Sequence, residues 1–332
     1  MSLTTAQKTA ARAAVLLLLC AAFVLNPATP AFAAPGDLIQ RVYTDKARYN
    51  PSSSATVTVE IKNNTGATWN GTLYLDIRHL ETLTYSTSQS LNVAAGATTT
   101  KTFAWTTPST DFRGYHAEVR AGTTDSGATA IDVSSSWTRY PRYGYVDAFP
   151  TGQTQSQSAA KIRELSEDYH LNGIQFYDWM WRHEKVIKRT GGSIDDPWTD
   201  WAGNPISYAV VQDLVNSSHS YGMAAMPYFM LYAGLQNYQS TSGVNPQWGL
   251  FSDTAHASQR VFDFGDGDAN TNLWIFNPAN QNWQNHIFRQ YDDAIGTVDF
   301  DGLHLDQMGN YWGGPYYDYW ATRSTSATAS PR

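Results

Sequence analysis

Three aspartates stand where an apolar stretch gives way to a polar one: Asp147 after Tyr143-Gly144-Tyr145-Val146, Asp178 after Gly173-Ile174-Gln175-Phe176-Tyr177, and Asp306 after Gly302-Leu303-His304-Leu305. Carboxyl groups gathered at one end of a sheet are what glycosidic cleavage requires. One protonates the leaving oxygen, and the other attacks the anomeric carbon or activates water. Asp306 is the best nucleophile candidate. Side chains alternate along a strand, so His304 shares its face while Leu303 and Leu305 point the other way. His304 and Gln307 can orient the carboxylate or hold a sugar hydroxyl. Tyr177-Asp178-Trp179-Met180-Trp181-Arg182-His183 sets an acid among rings just past a strand. That reads as a wall on which sugar faces stack, with Asp178 accepting from hydroxyls; the alternative is a hydrophobic cap over the sheet's end. Trp198 and Trp201 extend either role, and Tyr228 and Tyr232 are weaker candidates of the same sort. Each acid also has a structural alternative, ending a strand and capping the loop beyond it.

The elements that must position these groups alternate in period. Strands are expected at Tyr143–Asp147, Gly173–Trp179, Met223–Leu231 and Phe300–Asp306. Ile162, Leu165 and Tyr169 mark a helix between the first two. Val211, Leu214, Val215 and Ser218 mark another, with Ser207 to cap its start and Gly222 to end it. Trp283, Ile287, Tyr291, Ala294, Ile295 and Val298 recur at helical spacing before the fourth strand, with Asn277 as the expected cap and Pro278 in first position. Strands alternating with helices imply parallel pairing, and strand-end acids are how a (β/α)8 TIM barrel presents catalytic groups. Such a barrel takes about 250 residues, whereas residues 139–320 hold about four units, the N-terminal half. The loop from Tyr232 to Asn277 is long enough to cover a site. Ahead of this region, residues 34–138 alternate in short strands: Val57, Val59 and Ile61 on one face, Leu73, Leu75 and Ile77 on another, then Tyr115, Ala117, Val119 and Ala121. Asn63-Asn64-Thr65-Gly66, Asn70-Gly71 and Ala94-Ala95-Gly96 are expected turns. The pattern is that of an all-β, immunoglobulin-like sandwich.

Composition narrows the partners. The 332 residues carry a formal net charge of -7, with 15% charged and 14% aromatic residues. A nucleic-acid binder needs a basic face to neutralise phosphates, so a neutral polyhydroxylated partner suits the chain better. Lys8, Arg12, the apolar run Ala13–Leu25 and Ala31-Phe32-Ala33 form an export signal over residues 1–33, which implies a secreted, extracellular protein. Cys20, the single cysteine, lies inside that run. No second long apolar run follows, so no membrane span is expected after signal cleavage. Asp266-Gly267-Asp268-Ala269-Asn270 resembles a calcium loop, but Thr271 stands where the turn glycine belongs and Asn277 where the terminal glutamate belongs. His304 and Asp306 lack a third zinc ligand of suitable spacing. Neither metal nor cofactor is expected, and no serine-hydrolase elbow, phosphate-cradling loop or dinucleotide fingerprint is present.

From about Pro141 to Trp320 the chain resembles glycoside hydrolase family 66, the endo-dextranases and cycloisomaltooligosaccharide glucanotransferases. The resemblance rests on Asn172-Gly173-Ile174-Gln175-Phe176-Tyr177-Asp178-Trp179 with Arg182-His183, and on Phe300-Asp301-Gly302-Leu303-His304-Leu305-Asp306-Gln307-Met308-Gly309. It implies a retaining mechanism on α-1,6-glucan with Asp306 as nucleophile, and dextran or isomaltooligosaccharides as partner. Asp147, Tyr177, Asp178, Trp179, Arg182, His183, Tyr228, His304 and Gln307 are then the expected substrate contacts. The family's acid/base is a glutamate on a later strand, yet no glutamate follows Glu184, and residues 321–332 form a Ser/Thr/Ala-rich tail outside the resemblance. The expectation is a dextran-degrading glycosidase by descent, C-terminally truncated and catalytically impaired in this form. A cyclising glucanotransferase and a non-catalytic glucan-binding remnant are the alternatives.

Overall fold

The computed structural model describes residues 36–123, 125–306, 315–319 and 323–324. The expected signal segment and Gln307 lie outside the described residues. In the first half, alternation works as expected. Val57, Val59, Ile61, Leu73, Leu75 and Ile77 are all at 0% exposure, because a strand with one apolar side must close against another. The strands are β1 (Ile39–Thr44), β2 (Ser54–Lys62), β3 (Trp69–His79), β4 (Thr82–Val93), β5 (Thr98–Thr106), β6 (Arg113–Ala121) and β7 (Asp125–Val133). They pair antiparallel in two sheets, ordered β1-β2-β5 and β4-β3-β6-β7. Phe103, Trp105, Tyr115, Val119 and Ile131 help fill the core they share.

The expected turns at Asn63–Gly66 and Ala94–Gly96 connect strands, with Gly66 and Gly96 at positive φ. Asn70-Gly71 does not. It lies inside β3, opposite Asn92 and Leu91. A Cβ at Gly71 would stand 2.3 Å from the Trp69 ring, so the glycine is a seat for an indole rather than a turn.

In the second half, β8 (Tyr143–Val146), β9 (Gly173–Phe176), β10 (Ala224–Met230) and β11 (His304–Asp306) form a parallel sheet in the order β11-β10-β9-β8. The helices are α1 (Gln155–Glu167), α2 (Tyr208–Ser220), the short α3 (Tyr238–Ser242) and α4 (Gln281–Val298). Thr154 starts α1 with a reciprocal capping box to Gln157, and Ser207 caps α2 through the Val210 N–H. The cap of α4 is Asn280, not Asn277: Asn280 accepts from the Asn282 and Trp283 N–H groups, while Asn277 holds the Ala279 N–H at 3.0 Å in a preceding turn. Tyr169 falls beyond α1 and is 49% exposed, so it does not extend that helix's apolar face as expected.

The helices cover one face of the parallel sheet. Val146, Ile174, Phe176, Ala225 and Phe229 share a core with Ile162, Val211, Leu214, Ile287 and Tyr291, and Leu305 packs against it. Alternation turns Tyr143, Tyr145, Tyr228, His304 and Asp306 to the opposite face, where Tyr145 is 63% exposed. Leu303, expected to point the same way as Leu305, is exposed just before β11, an edge strand of this sheet. Two arginines tie the halves together. Arg41 on β1 binds Glu167 at 2.8 Å and Asp168, and Arg142, just ahead of β8, donates to Asp132 at 2.9 Å and to the Ala47 carbonyl at 3.2 Å.

Candidate active site

Asp306 ends β11 opposite Met230 of β10, and Tyr228, two residues earlier on β10, donates its hydroxyl to Asp306 Oδ2 at 2.9 Å. Burial first, then the Asp306 charge, drives the Tyr228 pKa well above the ordinary phenol value, so this hydroxyl stays a donor. The Tyr177 ring lies 4.8 Å from that of Tyr228. His304 stacks on Tyr143 of β8 with centroids 5.7 Å apart, and its Nδ1 is 3.1 Å from the Tyr143 hydroxyl. First and last strands thus meet across the uncovered face.

Asp178 arrives by a different route. β9 ends at Phe176, and the chain turns at Asp178 itself, which holds φ 49°, a left-handed conformation that aspartate tolerates better than most residues. Burial pushes its carboxyl up to about 6, and the negative charges of Asp200 and Asp306 add to the shift. The Trp201 indole N–H pulls the other way without closing a full hydrogen bond. Asp178 is therefore half protonated near pH 6 while standing within electrostatic reach of Asp306. Glycosidic cleavage calls for two carboxyl groups at one bond, and Asp178 and Asp306 are the pair within electrostatic reach of each other here.

The rest of the aromatic cluster turns inward. Trp179 is at 0% exposure, edge-on to Trp198, Phe229 and Phe300. Met180 and His183 are buried as well, and burial lowers the His183 pKa to about 4. Arg182 points at buried Glu184 and at the Gln236 carbonyl. The expectation that Trp179, Arg182 and His183 line a sugar-stacking wall is corrected accordingly: these side chains form the cap beneath the rim. Tyr177 and Asp178 remain facing the site. The turn at Asp178 reverses the faces that simple alternation assigns to the residues after it. Asp147 is exposed just past β8, the strand at the opposite end of the sheet order from the one that carries Asp306. Tyr232 is buried in the loop core with Leu250, Leu273 and Ile275.

Three features escaped the sequence reading. Tyr143 and Tyr145 share a face with the candidate nucleophile, a signal already present in the alternation of Tyr143-Gly144-Tyr145-Val146. Asp200 is buried in a tight turn, accepting from the Ala202 and Asn204 N–H groups at 2.9 and 2.7 Å, as Asp-Trp-Ala-Gly-Asn spacing allows. Glu184 gave no local signal at all. Among the described residues, no group of three or more His, Cys, Asp or Glu side chains is placed to hold a metal, and no helix is long and apolar enough to cross a membrane.

Asp306 and Asp178 thus stand at or just past the carboxyl ends of parallel strands, with tyrosines on the same face. The chain belongs to glycosyl hydrolase family 66, which matches residues 44–327. It is 50% identical over 304 residues to a cycloisomaltooligosaccharide glucanotransferase of Niallia circulans, a match covering 92% of this chain and 31% of the relative. A Streptococcus salivarius dextranase is 26% identical over 260 residues, covering 72% of this chain and 30% of the relative. The solved structure of a Paenibacillus cycloisomaltooligosaccharide glucanotransferase complexed with cycloisomaltoheptaose superposes with a TM-score of 0.83 at 47% identity, covering 87% of this chain and 41% of that one. The chain thus spans about a third of the length of the curated relatives it matches.

Proposed function

We propose that this chain carries the nucleophile half of a secreted α-1,6-glucan-processing site. In this reading residues 34–138 are an immunoglobulin-like companion domain, residues 139–320 the first four units of a (β/α)8 barrel, and residues 1–33 an export signal. The observation that carries the reading is Asp306 at a strand's carboxyl end, holding the Tyr228 hydroxyl at 2.9 Å with Asp178 nearby. In a site completed by a general acid, Asp306 attacks the anomeric carbon of dextran or an isomaltooligosaccharide as the glycosidic C–O bond breaks and its oxygen takes the acid's proton. Tyr228 fixes the attacking oxygen, and Tyr145 and Tyr177 offer rings to sugar faces. Asp147 and His304 extend the same rim.

The family's proton donor is a later-strand glutamate, and this sequence has none after Glu184. Loss of a general acid costs roughly 10²–10⁴-fold. A polypeptide of residues 1–332 alone, assayed without that donor, is expected to bind dextran while releasing almost no reducing sugar. Native electrophoresis in dextran-containing gels tests the first part: retarded migration, weakened by Tyr177→Ala, supports it, and unaltered mobility discards it. Reducing-sugar release at the rate of a complete dextranase overturns the second part. Between hydrolase and cyclising transferase, the 50% identity to a cyclising relative against 26% to a dextranase favours the transferase. Cyclic rather than linear products, in a complete protein built on this sequence, decide the matter.

A further inference from the structure

β11 is held on β10 by a short ladder. Tyr228 pairs with His304, Phe229 with Leu305 and Met230 with Asp306. The rung before these is incomplete. Ala224 donates its N–H to the Asn172 carbonyl on the β9 side, and Ala225 donates toward β11, so alternation turns position 227 toward β11 as well. That position is Pro227, which has no N–H to give. A short strand with a missing rung has little hold on its register. A slip of one residue would carry Asp306 to the helix-covered face and Leu305 to the open one.

One residue takes the place of the ladder on the far side of this gap. Asp301, just ahead of β11, donates its own N–H to the Ala225 carbonyl at 2.9 Å and accepts the Ala225 N–H on Oδ2 at 2.7 Å. Both main-chain groups that Ala225 turns toward β11 are thereby engaged. His219, in the last turn of α2, brings Nε2 to 2.9 Å from the same Oδ2 and Nδ1 to 3.7 Å from Asp299. The His219 pKa is raised, by the hydrogen bond to Asp301 first and also by the charges of Asp301 and Asp299, against the effect of burial. Phe300 is buried between, edge-on to Phe176 and Trp179. An apolar ring anchors the connection in depth without choosing a rung. The Asp301 carboxylate does choose one, because it binds a particular N–H of β10.

We propose that Asp301 is a positioning residue: with His219 holding its carboxylate, it sets the register of β11 on β10 and so keeps Asp306 opposite Met230 and against the Tyr228 hydroxyl. The proposal rests on the glucan reading only in naming Asp306 the attacking group.

The test labels tyrosine Cζ with carbon-13 in the full chain and follows the Tyr228 resonance, assigned by its loss in Tyr228→Phe. Asp306→Ala gives the position of that resonance when the carboxylate is gone. Asp301→Ala is expected to move it about half of the way there or more, the effect of a weakened hydrogen bond to a charged acceptor. Amide exchange over residues 304–306 is expected to quicken by about tenfold or more, as for a strand that opens locally. Asp301→Asn keeps an oxygen for the Ala225 N–H and should restore most of the parent position. An unmoved Tyr228 resonance in Asp301→Ala overturns the proposal even if the thermal midpoint falls, because the contact would then serve stability alone. Equal displacement in the alanine and asparagine variants overturns it too, since the bond to Ala225 would count for nothing. If Asp301→Ala fails to fold, His219→Ala decides: it leaves Asp301 in place, removes its side-chain partner, and must move the resonance the same way by a smaller amount. Sugar enters neither readout, so failure of the glucan reading would leave both intact.

Discussion

Replacing Asp178 with asparagine should stabilise the protein at neutral pH and do nothing in acid. The carboxyl titrates near 6 in the folded chain, against 3.8 for an ordinary aspartate, because burial disfavours its charged form. Its raised value means that the folded state holds the proton more tightly than the unfolded state. The associated stability is fully present below about pH 4 and lost as pH rises through about 6. A shift of about two units corresponds to roughly 3 kcal/mol, which partial solvent access at the rim reduces to about 1–2 kcal/mol. Asparagine keeps the shape and never ionises, so the variant escapes the loss. Urea unfolding of both proteins at about pH 3.5 and about pH 7.5 measures it. With about 1–3 kcal/mol per molar urea, the variant's midpoint should exceed the parent's by about half a molar or more at the higher pH. At the lower pH the two midpoints should agree closely. A difference that is the same at both pH values, or a variant less stable at the higher one, would mean that burial does not hold the proton on Asp178.

Trp179→Ala should cost about 3–5 kcal/mol, the range for emptying a large aromatic site in a packed core, read as a lower thermal midpoint; a melting curve like the parent's would return Trp179 to the surface. Arg142→Ala removes the cation from Asp132 and the tie to the Ala47 carbonyl. Calorimetry should then resolve separate transitions for the sandwich and the helix-backed sheet, where the parent melts more nearly as one. Gly71→Ala pushes the new methyl into the Trp69 ring and should destabilise by about 1 kcal/mol in urea unfolding, whereas an exposed turn would tolerate it.

The period of two in Val57-Thr58-Val59-Glu60-Ile61 was enough to foretell a one-sided strand, because burial on one face is a local property of the pattern. Ser207 was legible as a cap for the same reason: its oxygen need reach only three residues along. The position of Asp306 at a strand's end was legible, because the apolar run before it marks the strand. The candidate site was obscured where the chain leaves the strand. Beyond Phe176 the direction of each side chain depends on the left-handed turn at Asp178, and nothing in Tyr-Asp-Trp announces that turn. The ring of Trp179 accordingly went to the core, while that of Tyr177 stayed at the rim. Asn277 and Asn280 offer the same capping chemistry, and Pro278 strengthens the local signal at Asn277 although Asn280 is the cap. Glu184 was illegible because its partners, Leu235 and Ser242, lie more than fifty residues away.

The stacked rings of Tyr143 and His304 act as a tie beam between the outer walls of a vault, joined by a 3.1 Å contact between hydroxyl and imidazole. The curvature of the four-stranded unit is then braced from inside its hollow as well as by the helices behind it. Asp306 follows His304 by two residues on the same face, so any force that spreads the walls swings the carboxylate with them. The aim of the Asp306 carboxylate is in that sense set from the far wall, through an imidazole that a distant tyrosine holds in place.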